Sequence, residues 1–270
     1  MPEGPEVKRM AQSLATEISE KTLVDFEVIS GRYTKKPIQG ITEFKQDLPT
    51  KILGVGSHGK FMYILTSSGF NVWSTLGMTG RWSNKQEKHS RVKFSLKNGQ
   101  FFYFDDIRNF GTLKCVYGKQ SLFDKLRLLG PDLLNDKIDA SFFVQRLREK
   151  DDWNITKALM NQKLFAGIGN YVKSESLWLS EINPMLSINE ISDETLEKLY
   201  NAVTSILHES YKSGGATFLT HKNFSGKIGD YSSRFLCYNR KIDAEGNEVI
   251  KTQTPDGRMT HWAPQRQEKG

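Results

Sequence analysis

Residues 91–106 read RVKFSLKNGQFFYFDD, and the alternation in this stretch decides the first half of the fold. Val92, Phe94 and Leu96 are separated by polar residues, and Phe101 and Tyr103 resume the alternation beyond Asn98-Gly99. An Asn-Gly pair between two such runs is the strongest short signal for a β-hairpin. The period of two continues outward, through KFMYIL (60–65) on one side and GTLKCVY (111–117) on the other. Residues from about Thr22 to Gly118 are therefore expected to form a β-sandwich or barrel.

Further outward the period changes. In MPEGPEVKRMAQSL (1–14) and the residues after it, Val7, Met10, Leu14 and Ile18 recur at helical spacing, and Pro5 suits a first helical turn. A helix thus starts almost at the amino terminus. Beyond LGPDLL (129–134) the pattern is again helical. One helix is expected from roughly Ala140, one through NITKALMNQKL (154–164), and one in YVKSESLWLS (171–180) after a glycine-rich turn for which Asn170 is the expected N-cap. A longer helix follows, with Ser192 as N-cap, Leu196, Leu199, Val203, Ile206 and Leu207 on one face, and Gly214-Gly215 as its stop. The segment Gly214–Asp230, rich in Gly, Ser, Lys and Thr, reads as a mobile loop. NEVIKTQTPDGRMTHWAP (247–264) returns to strands around Pro255-Asp256-Gly257, a hairpin with Arg258 just past its turn. The expected fold is α+β and multidomain: a β-sandwich with a leading helix (1–130), a helical domain (131–232) and a terminal β-hairpin (233–270).

Composition narrows the functional classes. With 270 residues, 37% of them hydrophobic, the chain can build two cores, and a net charge of +7 suits a polyanionic partner. Cys115 and Cys237 both lie in apolar, strand-like runs, which reads as buried reduced thiols, with no cysteine cluster for zinc. No signal-like start and no apolar run of membrane-spanning length is present. The chain is expected to be soluble and intracellular, with no membrane partner.

The amino terminus carries chemistry. Methionine is ordinarily removed before a small second residue, which would expose the secondary amine of Pro2, a nucleophile toward carbon centres that form an imine or iminium. A helix N-terminus disfavours the charged amine and so favours its reactive form. Glu3 and Glu6 flank it and could move protons. The plain alternative is a helix start with stabilising first-turn carboxylates.

MPEGPEV at the start, Lys60 in SHGKF, LGMTG around Met78, RNFG from Arg108, LGPD, AGIGNYVKSE around Asn170, and YNR followed by a GRMT hairpin occur in one order along the chain. The set resembles the formamidopyrimidine-DNA glycosylase and endonuclease VIII (Fpg/Nei) family from residue 2 to about residue 267. The resemblance implies a helix–two-turn–helix domain and a base-excision-repair DNA glycosylase with abasic-site lyase activity. Pro2 would attack C1′, Glu3 would protonate the sugar ring oxygen, and Glu6 would position the site. Lys60 would contact phosphate beside the lesion. Met78, Arg108 and Phe110 would fill the space left by an extruded nucleotide, whose extrusion costs a few kcal/mol. Asn170 would contact phosphate at a helix start. Arg258 would grip phosphate and support a second elimination. The partner implied is damaged double-stranded DNA, with single-stranded or bubble DNA left open. It would lie in a basic cleft between the first two domains and bind less tightly as salt rises. The protein would act as a monomer without a cofactor.

Two departures refine the expectation. Most relatives carry four zinc-binding cysteines in the hairpin, but Ala263 and Arg266 stand where the last two would be, so a zincless finger is expected, as in the animal, plant and giant-virus branch. Such a hairpin must hold itself by strand pairing and by packing around Val249, Ile250 and Trp262. Ile155 is followed by Thr156, with the lysine one place later, and the 214–231 loop lacks the SxLRDY and DGxxG wording associated with 8-oxoguanine capture. Both favour oxidised pyrimidines and hydantoins. The rival readings are a non-catalytic binder of damaged or abasic DNA, which would not depend on Pro2, and a general nucleic-acid or ribosome-associated module, which would need no processed amino terminus.

Overall fold

The computed structural model describes residues 2–216, 224 and 229–268. Met1, whose removal is expected from the sequence, lies outside them, as do residues 217–223 and 225–228, on which the expectations of a mobile loop and of a lesion preference rest. The described residues fall into two compact units, the first drawn from Met1–Leu128 and Gly214–Gly229, the second from Leu129–Ser213 and Asp230–Gly270.

In the first unit, α1 (Gly4–Ile18) buries Val7, Met10, Leu14 and Ile18. At roughly 2 kcal/mol for each large apolar side chain withdrawn from water, that stripe fixes the helix against the sheet. The strands are β1 (Thr22–Val28), β2 (Thr50–His58), β3 (Phe61–Thr66), β4 (Phe70–Thr75), β5 (Gly80–Ser83), β6 (Ser90–Leu96), β7 (Phe101–Asp106) and β8 (Thr112–Tyr117), with α2 (Ile41–Gln46) between β1 and β2. Their hydrogen-bonded order is β5-β7-β6-β1-β2-β3-β4-β8. The halves meet at β1 and β2 through Thr22↔Lys51 and Leu23↔Thr50 alone. Side chains from both halves share one core, so the sheet folds into the expected sandwich. The 91–106 hairpin supplies its densest part: Phe94 stacks on Phe102 at 4.7 Å and on Phe26 at 5.4 Å, with Trp82 fully buried beside them.

In the second unit, α3 (Lys119–Arg127) having closed the first, come α4 (Ala140–Arg148), α5 (Ile155–Met160), α6 (Asn170–Leu179) and α7 (Asp193–Lys212). Ser192 caps α7 by accepting the Thr195 N–H. The pair β9 (Ile250–Gln253) and β10 (Met259–Trp262), followed by α8 (Pro264–Gln267), ends the unit. Helix α6 is its hub, with every residue from Tyr171 to Trp178 buried, including Lys173, Ser174, Glu175 and Ser176. Asn170 does not cap α6: Gly169 is the N-cap, Asn170 is already helical, and its side chain is used elsewhere. Among the described residues, no helix is long and apolar enough to cross a membrane.

Candidate functional site

The chain starts on a constrained platform. Pro2 is buried and directly precedes Glu3, the N-cap of α1, which is 2% exposed. The Glu3 N–H donates to Glu6 Oε2 at 2.8 Å, while Glu6 Oε1 accepts the Ala216 N–H at 2.7 Å. Gly215 has φ +96°, and a Cβ there would lie 2.9 Å from Glu6 Oε1. Only glycine permits this approach without displacing the carboxylate. Glu6 therefore ties the start of the chain to the Gly215-Ala216 segment. Lys60, half-buried, occupies a different turn, Gly59-Lys60, where His58 pairs with Phe61 between β2 and β3.

Met78, Arg108 and Phe110 are brought together. Met78 is 39% and Phe110 58% exposed, and Arg108 Nη1 lies 3.3 Å from Met78 Sδ. They project from two loops held by one buried carboxylate, Asp106, itself 1% exposed. Its Oδ1 accepts from Thr79 Oγ1 at 2.5 Å and from the Arg108 N–H at 3.2 Å, and its Oδ2 accepts the Gly111 N–H at 2.7 Å. From beneath, Arg32 donates to the carbonyls of Asn109 (3.1 Å) and Gly111 (2.6 Å), and Arg91 donates to that of Asp106 (2.7 Å). Gly77, at φ +57°, lets the loops touch: a Cβ there would be 2.7 Å from the backbone of Phe110 and Gly111. Exposed side chains on a rigid base are what a wedge needs, because a soft base would yield before the duplex unstacks.

In the second unit, α5 and α6 are joined by a turn that Gln162 holds, donating to the carbonyls of Met160 (3.1 Å) and Ile168 (3.0 Å) and accepting the Gly167 N–H (3.0 Å). Asn170 Nδ2 donates to the Met259 carbonyl at 3.0 Å, so the structure brings Asn170 beside the hairpin that carries exposed Arg258. Lys173 Nζ and Asp256 Oδ2 are 2.6 Å apart, with side-chain exposures of 0% and 2%. Asp256 Oδ1 accepts from Thr254 Oγ1 at 2.5 Å, and the Thr254 and Thr260 hydroxyls are 2.6 Å apart. The Glu175 carboxylate accepts the N–H groups of Leu236, Cys237 and Tyr238; burial raises its pKa against the pull of those hydrogen bonds. His261, buried against Tyr238, has no hydrogen-bond partner for either ring nitrogen among the described residues. Burial, with the charges of Lys251 and Lys173, lowers its pKa to about 4.

The base of this hairpin does not fit the zinc that the family implies. Ala263 is fully buried and packs with Trp178 and Cys237 in an apolar cluster that Leu236 and Val249 complete. Arg266 is held by Glu181 at 3.2 Å, by Glu245, and by the Trp178 carbonyl at 3.0 Å, and its guanidinium lies 4.2 Å from the Trp178 ring centre. Burial pushes the Cys237 thiol far up, against thiolate formation. Among the described residues no cluster of His, Cys, Asp or Glu is placed to hold a metal. Strand pairing of Ile250 with Trp262 and a 3.0 Å bond from Trp262 Nε1 to Thr252 Oγ1 supply part of the hairpin's cohesion.

Asp106, Gln162, Lys173 and Glu175 carry no expected role in the sequence, and Asp256 is expected only as a turn residue. The signal for two of them is a charge inside a buried run, Asp106 at the end of FFYFDD and Lys173 within NYVKSESLWL.

Comparison with known proteins follows the same division. The model of the formamidopyrimidine-DNA glycosylase N-terminal domain matches residues 1–113, and that of the formamidopyrimidine-DNA glycosylase H2TH domain matches residues 129–222. The formamidopyrimidine-DNA glycosylase of Bacillus cereus is 29% identical over 274 residues, covering 98% of each chain, and that of Lactococcus lactis is 29% identical over all of both chains. Among solved structures, a Lactococcus lactis enzyme mutant bound to Fapy-dG-containing DNA has a TM-score of 0.88 at 26% identity, over 99% of this chain and all of that one. The MutM (Fpg) protein of Thermus thermophilus has a TM-score of 0.87 at 26% identity over both whole chains.

Proposed function

The chain belongs to the formamidopyrimidine-DNA glycosylase family, and from that premise we propose that it excises oxidised bases from damaged DNA and cleaves the resulting abasic site through Pro2. The observation that carries this reading is the start of the chain: a proline directly before the helix N-cap Glu3, with Glu6 accepting the backbone N–H groups of Glu3 and Ala216. The neutral Pro2 amine attacks C1′; the N–C bond forms as the base leaves with the glycosidic electron pair and takes up a proton. Glu3 protonates the ring oxygen, the sugar opens, and an iminium remains. Loss of a C2′ proton then expels the 3′ phosphate, a second elimination expels the 5′ phosphate, and water releases Pro2. Lys60 and Arg258 serve these eliminations through phosphate contacts, Asn170 grips the backbone, and Met78, Arg108 and Phe110 occupy the space left by the extruded nucleotide.

The proposed substrates are oxidised pyrimidines and hydantoins ahead of 8-oxoguanine. Thr156 is fully buried and bonded to Asn154 Oδ1 at 2.5 Å, while Lys157 is turned outward over the Trp153 ring at 4.6 Å. The site thus lacks a lysine where purine-directed relatives have one. The finger works without zinc, and the enzyme acts as a monomer. Single-turnover excision from matched duplexes bearing an oxidised pyrimidine, a hydantoin or 8-oxoguanine tests the preference; 8-oxoguanine released fastest would overturn it. Salt-sensitive binding without cleavage of any lesion would leave a damage-binding protein.

A further inference from the structure

We infer that the buried Lys173–Asp256 pair positions Arg258, and that Asp256 Oδ1 decides whether the second elimination follows the first. The inference rests on the proposed role of Arg258 and adds what holds that residue in place.

Arg258 is exposed, yet its backbone is pinned on every side. Its N–H donates to Asp256 Oδ1 at 3.2 Å. Its carbonyl accepts the Thr254 N–H at 3.0 Å and Thr254 Oγ1 at 3.1 Å. The next carbonyl, that of Met259, accepts Asn170 Nδ2 at 3.0 Å. Asp256 links these contacts to α6, because its other oxygen lies 2.6 Å from Lys173 Nζ. Asn170 and Lys173 are three residues apart on α6 and so share a face. One helix face thus grips the backbone through Asn170 and fixes the finger through Lys173. In relatives with a zinc finger the metal braces this hairpin. Here the apolar cluster around Ala263 closes its base, and the ion pair locks its turn.

The pair has two separable functions. Its charges must stay matched, because breaking a buried pair by removing one charge is costly, whereas replacing both by apolar groups is often tolerated. The Oδ1 atom, by contrast, is a local acceptor for Arg258 and Thr254. Two charge-free double variants isolate it. Lys173→Met/Asp256→Asn keeps a carbonyl oxygen, and Lys173→Met/Asp256→Leu does not.

The experiment uses the full-length, methionine-processed chain on an abasic-site duplex. It measures folded fraction by thermal melting, the borohydride-trapped adduct, and the ratio of β- to β,δ-elimination products, which does not depend on how much protein is active. Arg258→Ala is expected to form the adduct and lose the δ product. Lys173→Met/Asp256→Leu is expected still to form the adduct, while the share of δ product among its cleavage products falls at least tenfold, within the roughly hundredfold that a displacement of about 1 Å can cost. Lys173→Met/Asp256→Asn should keep the wild-type ratio. In an Arg258→Ala background neither double variant should change the ratio further. A folded Leu variant with the wild-type ratio overturns the inference, as does a ratio that shifts further without Arg258. If the Leu variant does not fold, Thr254→Val, which removes the hydroxyl shared by Asp256 and the Arg258 carbonyl, must lower the δ product; an unchanged ratio there also overturns it. A wild-type chain that forms no adduct refutes the proposed function itself. An Arg258→Ala variant with a normal δ yield refutes the arginine's role and this inference together.

Discussion

The wedge loops of the first unit and the finger of the second face one structural problem and solve it differently. Both present exposed side chains, Met78, Arg108 and Phe110 in one case and Arg258 in the other, from turns organised around a buried aspartate. Asp106 is satisfied by a hydroxyl and two backbone N–H groups, all neutral donors. Asp256 is satisfied by a hydroxyl, one backbone N–H and a buried ammonium. The first arrangement ties Asp106 to residues 2, 5 and 27 positions away. The second ties residues 83 apart and carries a charge balance with it. The wedge should therefore tolerate loss of its aspartate's charge far better than the finger does.

The largest effect expected follows directly. Asp256→Ala removes the carboxylate of a buried ion pair and should cost about 3–5 kcal/mol, whereas the Lys173→Met/Asp256→Leu double variant should recover most of that, as read by urea unfolding. If the single and double variants are equally unstable, the pair is not what makes the finger costly to disturb.

Next in size is a pH dependence confined to the finger. His261 is neutral in the native state, with a pKa of about 4 against 6.5 for the unfolded chain. The unfolded chain binds the proton first, so stability is complete above about pH 6.5 and falls as pH drops toward 4. The loss reaches about 3 kcal/mol at about 1.4 kcal/mol per pKa unit. His261→Phe should flatten that slope; an unchanged slope would assign it to other groups.

Asp106→Asn should be milder, about 1–3 kcal/mol, because an amide can keep one acceptor but opposes an N–H donor with its own NH2. Its stronger signature should be slower lesion extrusion, followed by 2-aminopurine fluorescence beside the lesion. Smallest in stability is Phe110→Ala, within about 0.5 kcal/mol as for exposed positions, although it should slow excision about tenfold or more through lost stacking. A Phe110 variant that melts like wild type but excises at full rate would remove the wedge from the account.

Much of this was legible in the sequence, and the parts that were not share a cause. Strand β6 and helices α1 and α7 follow from periodicity because each buries an apolar stripe or alternation, whereas β7 departs from it: Phe101 is exposed and Phe102 to Asp106 are all buried. Helices α2 and α3 escape it, since each buries a single residue, Phe44 or Leu122, and so shows no period. Asn170 looked like a cap because asparagine ordinarily caps; the Met259 carbonyl, 89 residues away, claims its side chain instead. The exposed site residues stand in recognisable local wording, LGMTG, RNFG and GRMT. Their supports do not: Asp256 reads as a turn residue and Lys173 as a charge inside an apolar run, and only the fold reveals that they meet. Local chemistry is written locally, while the pairing that satisfies a buried charge is a property of the tertiary structure.

Residue 2 is the proposed nucleophile. Borohydride trapping on an abasic-site duplex, with the adduct mapped by mass spectrometry of the cross-linked peptide, tests it most directly. The account predicts a covalent adduct on the processed chain at Pro2, and none when methionine is retained or Pro2 is acetylated. An adduct on a lysine, or one of equal yield with the amine blocked, would contradict it.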